Sequence, residues 1–311
     1  MWVLSPLVRS ASEFYAGRRA DGRETSAVLL IASVAISWIF SKSVTNAANL
    51  GFQFGVVGAV AYAGWYLSIP VAGVVIYFIR KRYDVSSLPE FVAHRYGRAA
   101  ALVFMLVILI RLMNEVWSNT AVVGAYFGPP GSGRYYGAAL LFTVLTLAYS
   151  LRGGLRSSIL TDLIQFGIGV FLLVFVLVLV IPGTGPVPLV KSGHWTLEGG
   201  VDLLLVALVQ SFSYPFHDPV LTDRGFITKP RKMLVCYLVA GVLAGGFIAL
   251  FGLVGVQAKL TGLHVAGNAP LQVARAFGAA SVAAMTLLMI ASAGSTLDST
   301  LASMSKAAVM D

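Results

Sequence analysis

Eight apolar segments, each about as long as a bilayer is thick, run through this 311-residue chain. A helix needs roughly 20 residues to cross the hydrocarbon, whereas a barrel strand needs about 10. Backbone polar groups in lipid must be satisfied inside the structure, so segments of this length are read as helices. They are placed at 27–50, 55–79, 99–127, 135–150, 157–181, 201–222, 233–257 and 281–306. The fourth is short, and the sixth is interrupted by Pro215 and Pro219. Composition agrees, since 11% of residues are charged against about 25% in a soluble domain. The expected fold class is all-α integral membrane, with about eight transmembrane helices.

The net charge of +9 could point to nucleic acid, but the charges sit in loops between apolar segments, and nucleic acid is not an expected partner. With a cytoplasmic N-terminus, sixteen of the 22 Lys and Arg fall in inner loops and four in outer loops, while Lys42 and Arg111 lie within spans. Arg224 belongs to the inner set in this count. By the positive-inside rule this bias orients the chain. The expectation is a multi-pass protein of the plasma (inner) membrane, embedded in the lipid bilayer. Residues 1–23 are basic and polar, without the apolar core of a signal peptide. A single cysteine, Cys236, leaves no internal disulfide or cysteine-based metal site. No nucleophile–base constellation stands out, so neither an enzyme nor a cofactor is expected.

The eighth segment is oddly polar. Residues 291–300 read Ala-Ser-Ala-Gly-Ser-Thr-Leu-Asp-Ser-Thr. Ser295 and Ser299 share a helix face, with Asp298 three residues from Ser295. Oxygen donors in the bilayer need a partner, and such a row suggests a small hard cation such as sodium. The alternative is close helix packing, with hydroxyls bonding back to i−4 carbonyls, which leaves Asp298 unexplained.

Three further charges lie within spans. A lone Lys or Arg at a helix centre costs about 2.5–3.5 kcal/mol on insertion scales. Arg111 and Glu115 are four apart and can pair, and Lys42 lies at the depth of Glu115. A Lys42–Glu115–Arg111 network is one reading. The first segment also carries Ser41, Ser43, Thr45, Asn46 and Asn49, a face that must meet protein or water. In the sixth, Pro215 frees backbone carbonyls, with Gln210, Ser211 and Ser213 as substrate-facing candidates. His217 is read as a packed histidine or as a proton carrier.

Three stretches in order carry a family resemblance: Ser87-Leu88-Pro89-Glu90-Phe91 through Arg95-Tyr96-Gly97; Gly153-Gly154-Leu155-Arg156 with Thr161-Asp162-Leu163-Ile164-Gln165; and Ser295-Thr296-Leu297-Asp298-Ser299. With Ser12-Glu13-Phe14-Tyr15-Ala16-Gly17-Arg18 before them, they resemble the sodium/solute symporter family. The resemblance implies a leucine-transporter-like fold of two inverted five-helix repeats, with broken helices holding solute and ion near the midplane. Residues 1–26 would then be a cytoplasmic N-terminal segment, 27–181 the first repeat and 182–200 an outer loop. Residues 201–311 would be an incomplete second repeat. The expected fold is thus a partial one lacking the last helices, and the chain a truncated member.

The resemblance also implies roles. Ser295 and Thr296 match hydroxyl ligands for sodium, completed by carbonyls of the broken first helix within 37–41, with Ser37 and Ser41 as candidates. Asp162 matches an acid on the sodium path, although an acid in the first turn also offsets the helix dipole. Tyr214 matches an aromatic inner gate over the solute. Lys42 or Arg111, facing the central cavity, could meet a solute carboxylate. Lys42 departs from the family pattern: either it points away from the ion site or it takes the cation's place. The implied function is sodium-coupled symport of a small organic solute (amino acid, carboxylate or sugar-like), with Na+ as coupling ion. Alternatives are a proton-coupled carrier using Lys42, Asp298 or His217, and the membrane sensor domain of a histidine kinase.

Overall fold

The structure, a computed structural model, describes residues 24–309 together with Val8, Ser10, Phe14 and Tyr15. Most of the expected N-terminal segment and most of the 12–18 stretch lie outside the described residues. Helices and turns account for the described elements.

The first span is broken. Helix α1 (Ala27–Trp38) starts at Ser26, whose Oγ accepts from the Leu29 N–H at 3.3 Å. Helix α2 (Ser41–Phe54) leaves it at 61°. No proline or glycine marks the break; side chains of other helices take the freed backbone groups. Ser292 Oγ donates to the Ile39 carbonyl. The Ser41 N–H donates to Asn119 Oδ1 at 3.1 Å.

The second span, α3 (Val56–Tyr83), runs through a 3₁₀ turn at Trp65–Leu67. Next comes α4 (Leu88–Tyr96), the short helix expected in the inner loop. Helix α5 (Arg98–Phe127) shows the periodicity of a membrane-facing element. Leu102, Leu106, Ile110, Met113 and Trp117 form one stripe, each more than 60% exposed to the surroundings, while Ile108, Leu112, Glu115 and Asn119 are buried opposite.

Helix α6 (Gly133–Thr184) has 52 residues, about 78 Å if straight and more than twice the ~30 Å hydrocarbon. It is a hairpin. Tyr149 Oη and Thr161 Oγ1 donate to the same oxygen, Asp298 Oδ2, at 2.9 and 3.1 Å. In a straight helix those residues would be about 18 Å apart along the axis. The chain reverses at Gly154, at φ 54° and ψ −149°, where a Cβ would run into the Phe14 carbonyl. The limbs 133–153 and 155–184 are the expected fourth and fifth spans.

After α7 (Pro186–Lys191) the sixth segment is again broken: α8 (Asp202–Ser211), a 3₁₀ turn at Tyr214–Phe216, α9 (Pro219–Asp223) and a 3₁₀ turn at Arg224–Phe226. Helix α10 (Pro230–Leu260) packs on α2 and α3. Gly255 lies against the Ala48 carbonyl and Gly252 against Ala59, so backbones touch where a side chain would not fit. A short helix, α11 (Ala269–Ala276), precedes α12 (Ala279–Val309), in which every residue from 292 to 300 is buried. Among the described residues, five helices (α3, α5, α6, α10 and α12) are long and apolar enough to cross a membrane, and the bent α1–α2 pair makes a sixth. The α6 hairpin counts twice, and the broken α8–α9 segment completes the expected eight.

Candidate functional site

The carboxylate of Asp162, about two turns into the second limb of α6, is fully buried. Its Oδ1 accepts from Ser295 Oγ of α12. Its Oδ2 accepts from Ser33 Oγ at 2.6 Å and from Ser37 Oγ at 3.2 Å, both on α1. Ser37 and Ser299 hydroxyls are 3.1 Å apart. Thr296 Oγ1 bonds back to the Ser292 carbonyl at 3.2 Å and reaches the Ser37 carbonyl at 3.4 Å. The break in the first span thus places a backbone carbonyl beside the α12 hydroxyls. Four of the expected ion-site residues, Asp162, Ser37, Ser295 and Thr296, therefore come together.

Asp298 is 1% exposed and held by four hydroxyls. Oδ1 accepts from Ser158 at 2.8 Å and Ser299 at 3.1 Å; Oδ2 accepts from Tyr149 and Thr161. The packing alternative therefore holds only for hydroxyls such as Thr300, which bonds back to the Thr296 carbonyl at 2.7 Å.

The cation in this cluster is one that the loop count misplaced. Arg224 is not in an inner loop: it is 0% exposed. Its Nε donates to Ser33 Oγ at 2.6 Å and its Nη1 to the Val220 carbonyl at 2.9 Å. Its Nη2 lies 2.6 Å from Ser299 Oγ, 3.1 Å from Ser158 Oγ and 3.1 Å from Asp162 Oδ2. Removing Arg224 from the inner set leaves fifteen against four, so the bias persists. Asp162, Asp298 and Arg224 together carry one more formal negative than positive charge.

Lys42 does not enter this cluster; it points to α5. Its Nζ lies 3.1 Å from Glu115 Oε1, which Arg111 Nη1 also reaches. Arg111 Nη2 extends the expected network to Asp218 Oδ2 at 2.8 Å. Two cations face two carboxylates, so this network balances. Asn119 Nδ2 lies 3.3 Å from Glu115 Oε2.

Tyr214 sits between the broken spans. Its ring packs edge-on to Trp38 with centroids 4.9 Å apart, lies 4.8 Å from the His217 ring, and has the Arg111 Cζ 5.6 Å from its centroid.

Other expected residues lie elsewhere. Ser41 Oγ donates to Asn119 Oδ1 at 3.0 Å, on the far side of the break from Asp162. Ser43 Oγ accepts from Tyr62 at 3.1 Å. Gln210 is exposed and accepts from Trp65 Nε1 at 2.7 Å. Ser211 is buried and bonds the Ala207 carbonyl at 2.8 Å. Ser213 is exposed, bonding the Gln210 carbonyl and lying 3.2 Å from His217 Nε2. The turn at Tyr214–Phe216 carries Tyr214 and Asp218 inward and leaves Gln210 and Ser213 facing out. Residue spacing alone does not single out Ser33, Trp38, Asn119, Tyr149, Ser158, Thr161, Asp218 or Arg224. The available signals were the four-residue spacings of Ser33 with Ser37 and of Ser158 with Asp162.

No family model matches the chain. It is 32% identical over 143 residues to the urea-proton symporter DUR3 of Oryza sativa subsp. japonica, covering 44% of this chain and 19% of that protein. It is 23% identical over 273 residues to the sodium/pantothenate symporter of Escherichia coli (strain K12), covering 82% of this chain and 53% of that protein. It superposes on a substrate-bound, outward-open Na+-coupled sialic acid symporter with a TM-score of 0.72 at 18% identity, covering 96% of this chain and 67% of that one. The chain thus spans about a fifth and about half of the two curated relatives. The expected resemblance to sodium/solute symporters is borne out, and the molecule is an all-α, multi-pass membrane protein with the fold of such a symporter.

Proposed function

We propose that this chain, similar to the sodium/solute symporters, is the membrane core of a carrier that moves a small solute together with a coupling cation, sodium in the leading reading. One observation carries this: a buried cluster with a surplus negative charge, formed where a broken helix presents its carbonyl to hydroxyls of α12. Hard cations take oxygen ligands of this kind at half-helix ends. The Ser37 carbonyl, Ser295 Oγ and Thr296 Oγ1 would coordinate, with Asp162 and Asp298 supplying charge. The solute would bind beside Tyr214, between the two broken spans and against the Lys42–Glu115–Arg111–Asp218 network. Residues 27–181 would form the first repeat and 201–311 part of the second, in a plasma or inner membrane with a cytoplasmic N-terminus. A cation moving through 100 mV yields about 2.3 kcal/mol, or about 40-fold accumulation of a neutral solute.

A second reading, proton coupling, is favoured by Asp298, which four hydroxyls hold and no cation contacts among the described residues. The similarity to a urea-proton symporter points the same way. One experiment separates the two. Uptake into proteoliposomes is measured with an inward sodium gradient or an inward proton gradient, at matched membrane potential, for the protein and for Ser295→Ala with Thr296→Ala. Sodium-driven uptake that the double substitution abolishes supports sodium. Uptake driven by protons alone supports the second reading. No uptake on either gradient sinks both.

A further inference from the structure

Resting on the carrier reading above, we infer that the solute is an uncharged molecule rich in hydrogen-bond acceptors, of the carboxamide, urea or polyol class, and not a carboxylate.

Charge balance is the first argument. Lys42 and Arg111 are the cations that could meet a solute carboxylate, and both are committed. Glu115 holds both of them, at 3.1 Å from Lys42, and Asp218 holds Arg111 at 2.8 Å. Glu115 and Asp218 are each 3% exposed. A third carboxylate here would face two buried anions with no free cation, and unpaired buried charge is expensive. A solute ammonium would unbalance the network in the opposite sense.

The second argument is what the site leaves unmet. Three polar side-chain atoms around Tyr214 have no hydrogen-bond partner among the described residues: Trp38 Nε1, Arg111 Nε and His217 Nδ1. Trp38 is 3% exposed, so its indole N–H is shielded from bulk solvent. Buried polar groups are almost always paired, and each one left unpaired costs about 1–3 kcal/mol. All three belong to side chains packed on the Tyr214 ring. Indole and guanidinium nitrogens only donate. A partner must therefore offer acceptors, and the neutral network requires that they carry no charge. Carbonyl and hydroxyl oxygens meet both conditions. The ring faces of Trp38 and Tyr214 add contact for a flat or apolar edge.

The position fits. Trp38 is the last residue of α1, at the break, and Tyr214 opens the turn that interrupts the sixth segment. A site built to donate hydrogen bonds discriminates strongly against ligands that cannot use them.

The test uses matched compounds in which one skeleton carries a carboxamide, a carboxylate or an amine, together with urea and glycerol. Binding to the full chain in nanodiscs is read by tryptophan fluorescence and thermal shift. Uptake is read in proteoliposomes under sodium and proton gradients. Neutral members should bind about tenfold or more tightly than their charged counterparts. Trp38→Phe keeps the ring and removes the donor; Arg111→Lys keeps the charge and removes Nε. Each should weaken neutral-solute binding about tenfold, roughly one hydrogen bond, with the ligand-free melting of Trp38→Phe as the folding control. Tightest binding by a carboxylate or amine overturns the inference, as does no binding by any member, and the order measured on the unsubstituted protein decides even if both variants misfold. Binding in the stated order without uptake on either gradient overturns the carrier reading and leaves the ligand class standing.

Discussion

Arg224 Nη2 lies 3.1 Å from Asp162 Oδ2, and neither side chain is exposed. A guanidinium buried this way joins elements far apart in sequence: α1 through Ser33, the second limb of α6 through Ser158 and Asp162, and α12 through Ser299. It also lowers the formal negative charge of the cluster from two to one.

That pairing makes Arg224 a structural requirement. Arg224→Met would leave two buried carboxylates with no fixed cation, and breaking a buried pair on one side costs about 3–5 kcal/mol. The expected result is a large fall in melting temperature in nanodiscs. Adding Asp162→Asn removes one stranded charge and should restore part of the loss, with a coupling above about 1 kcal/mol. Strictly additive losses would show that the pair does not act as a unit.

Asp298 is the complementary case. Four hydroxyls hold it and no cation contacts it among the described residues, so under the proposed function its charge is the one open to a mobile ion. Hydroxyls can turn to donate or accept, so Asp298→Asn should keep its neighbours and melt within about 1 kcal/mol of the parent. The sodium or proton dependence of uptake should weaken at least tenfold. An unchanged cation dependence would remove Asp298 from the coupling path.

The parts of this site that could be read in the sequence are those carried by local spacing. Ser295, Asp298 and Ser299 share a helix face, and Arg111 and Glu115 are one turn apart, so their neighbourhood follows from helix geometry. Arg224 was hidden for the opposite reason. It precedes Lys229, Arg231 and Lys232 and reads as loop charge, and only contacts from three distant elements show it buried. The break after Trp38 was expected from the resemblance and not from local residues. What holds it open is Ser292 and Asn119, more than 75 residues away in sequence. Gln210 and Ser213 were misplaced because a 3₁₀ turn rotates the chain between them and Asp218, and no helical spacing survives such a turn.

Gly154 carries the reversal between the two limbs of α6. Its φ of 54° is a conformation that a side chain resists, and a Cβ there would run into the Phe14 carbonyl and ring. Gly154→Ala should destabilise the protein by about 1–3 kcal/mol. Gly167, in the second limb, has open space around it, and Gly167→Ala should be neutral or stabilising by up to about 1 kcal/mol. Thermal melting of the two variants side by side checks the contrast, and equal effects would refute the hairpin constraint.

Helix α4, a short helix between two candidate spans and not itself one, offers a pH-dependent prediction. Ser87 caps it by accepting from the Glu90 N–H at 3.1 Å, and Glu90 Oε2 accepts from the Ser86 hydroxyl at 2.6 Å and the Ser86 N–H at 2.7 Å. This is a variant of the Ser–x–x–Glu capping box, in which Glu90 reaches back to Ser86, one residue before the N-cap Ser87. Hydrogen bonds from the Ser86 side chain, then from its backbone, hold the Glu90 carboxyl below its ordinary range. A carboxyl depressed in the folded state contributes stability above its unfolded pKa and loses it as pH falls through the folded value. Amide protection over 88–96, corrected for intrinsic exchange, should therefore be high at neutral pH and fall below about pH 4. Glu90→Gln should start lower and show a flatter profile, and Ser87→Ala should weaken protection by about 1 kcal/mol. A Glu90→Gln profile with the same pH dependence as the parent would assign the acid sensitivity to another group.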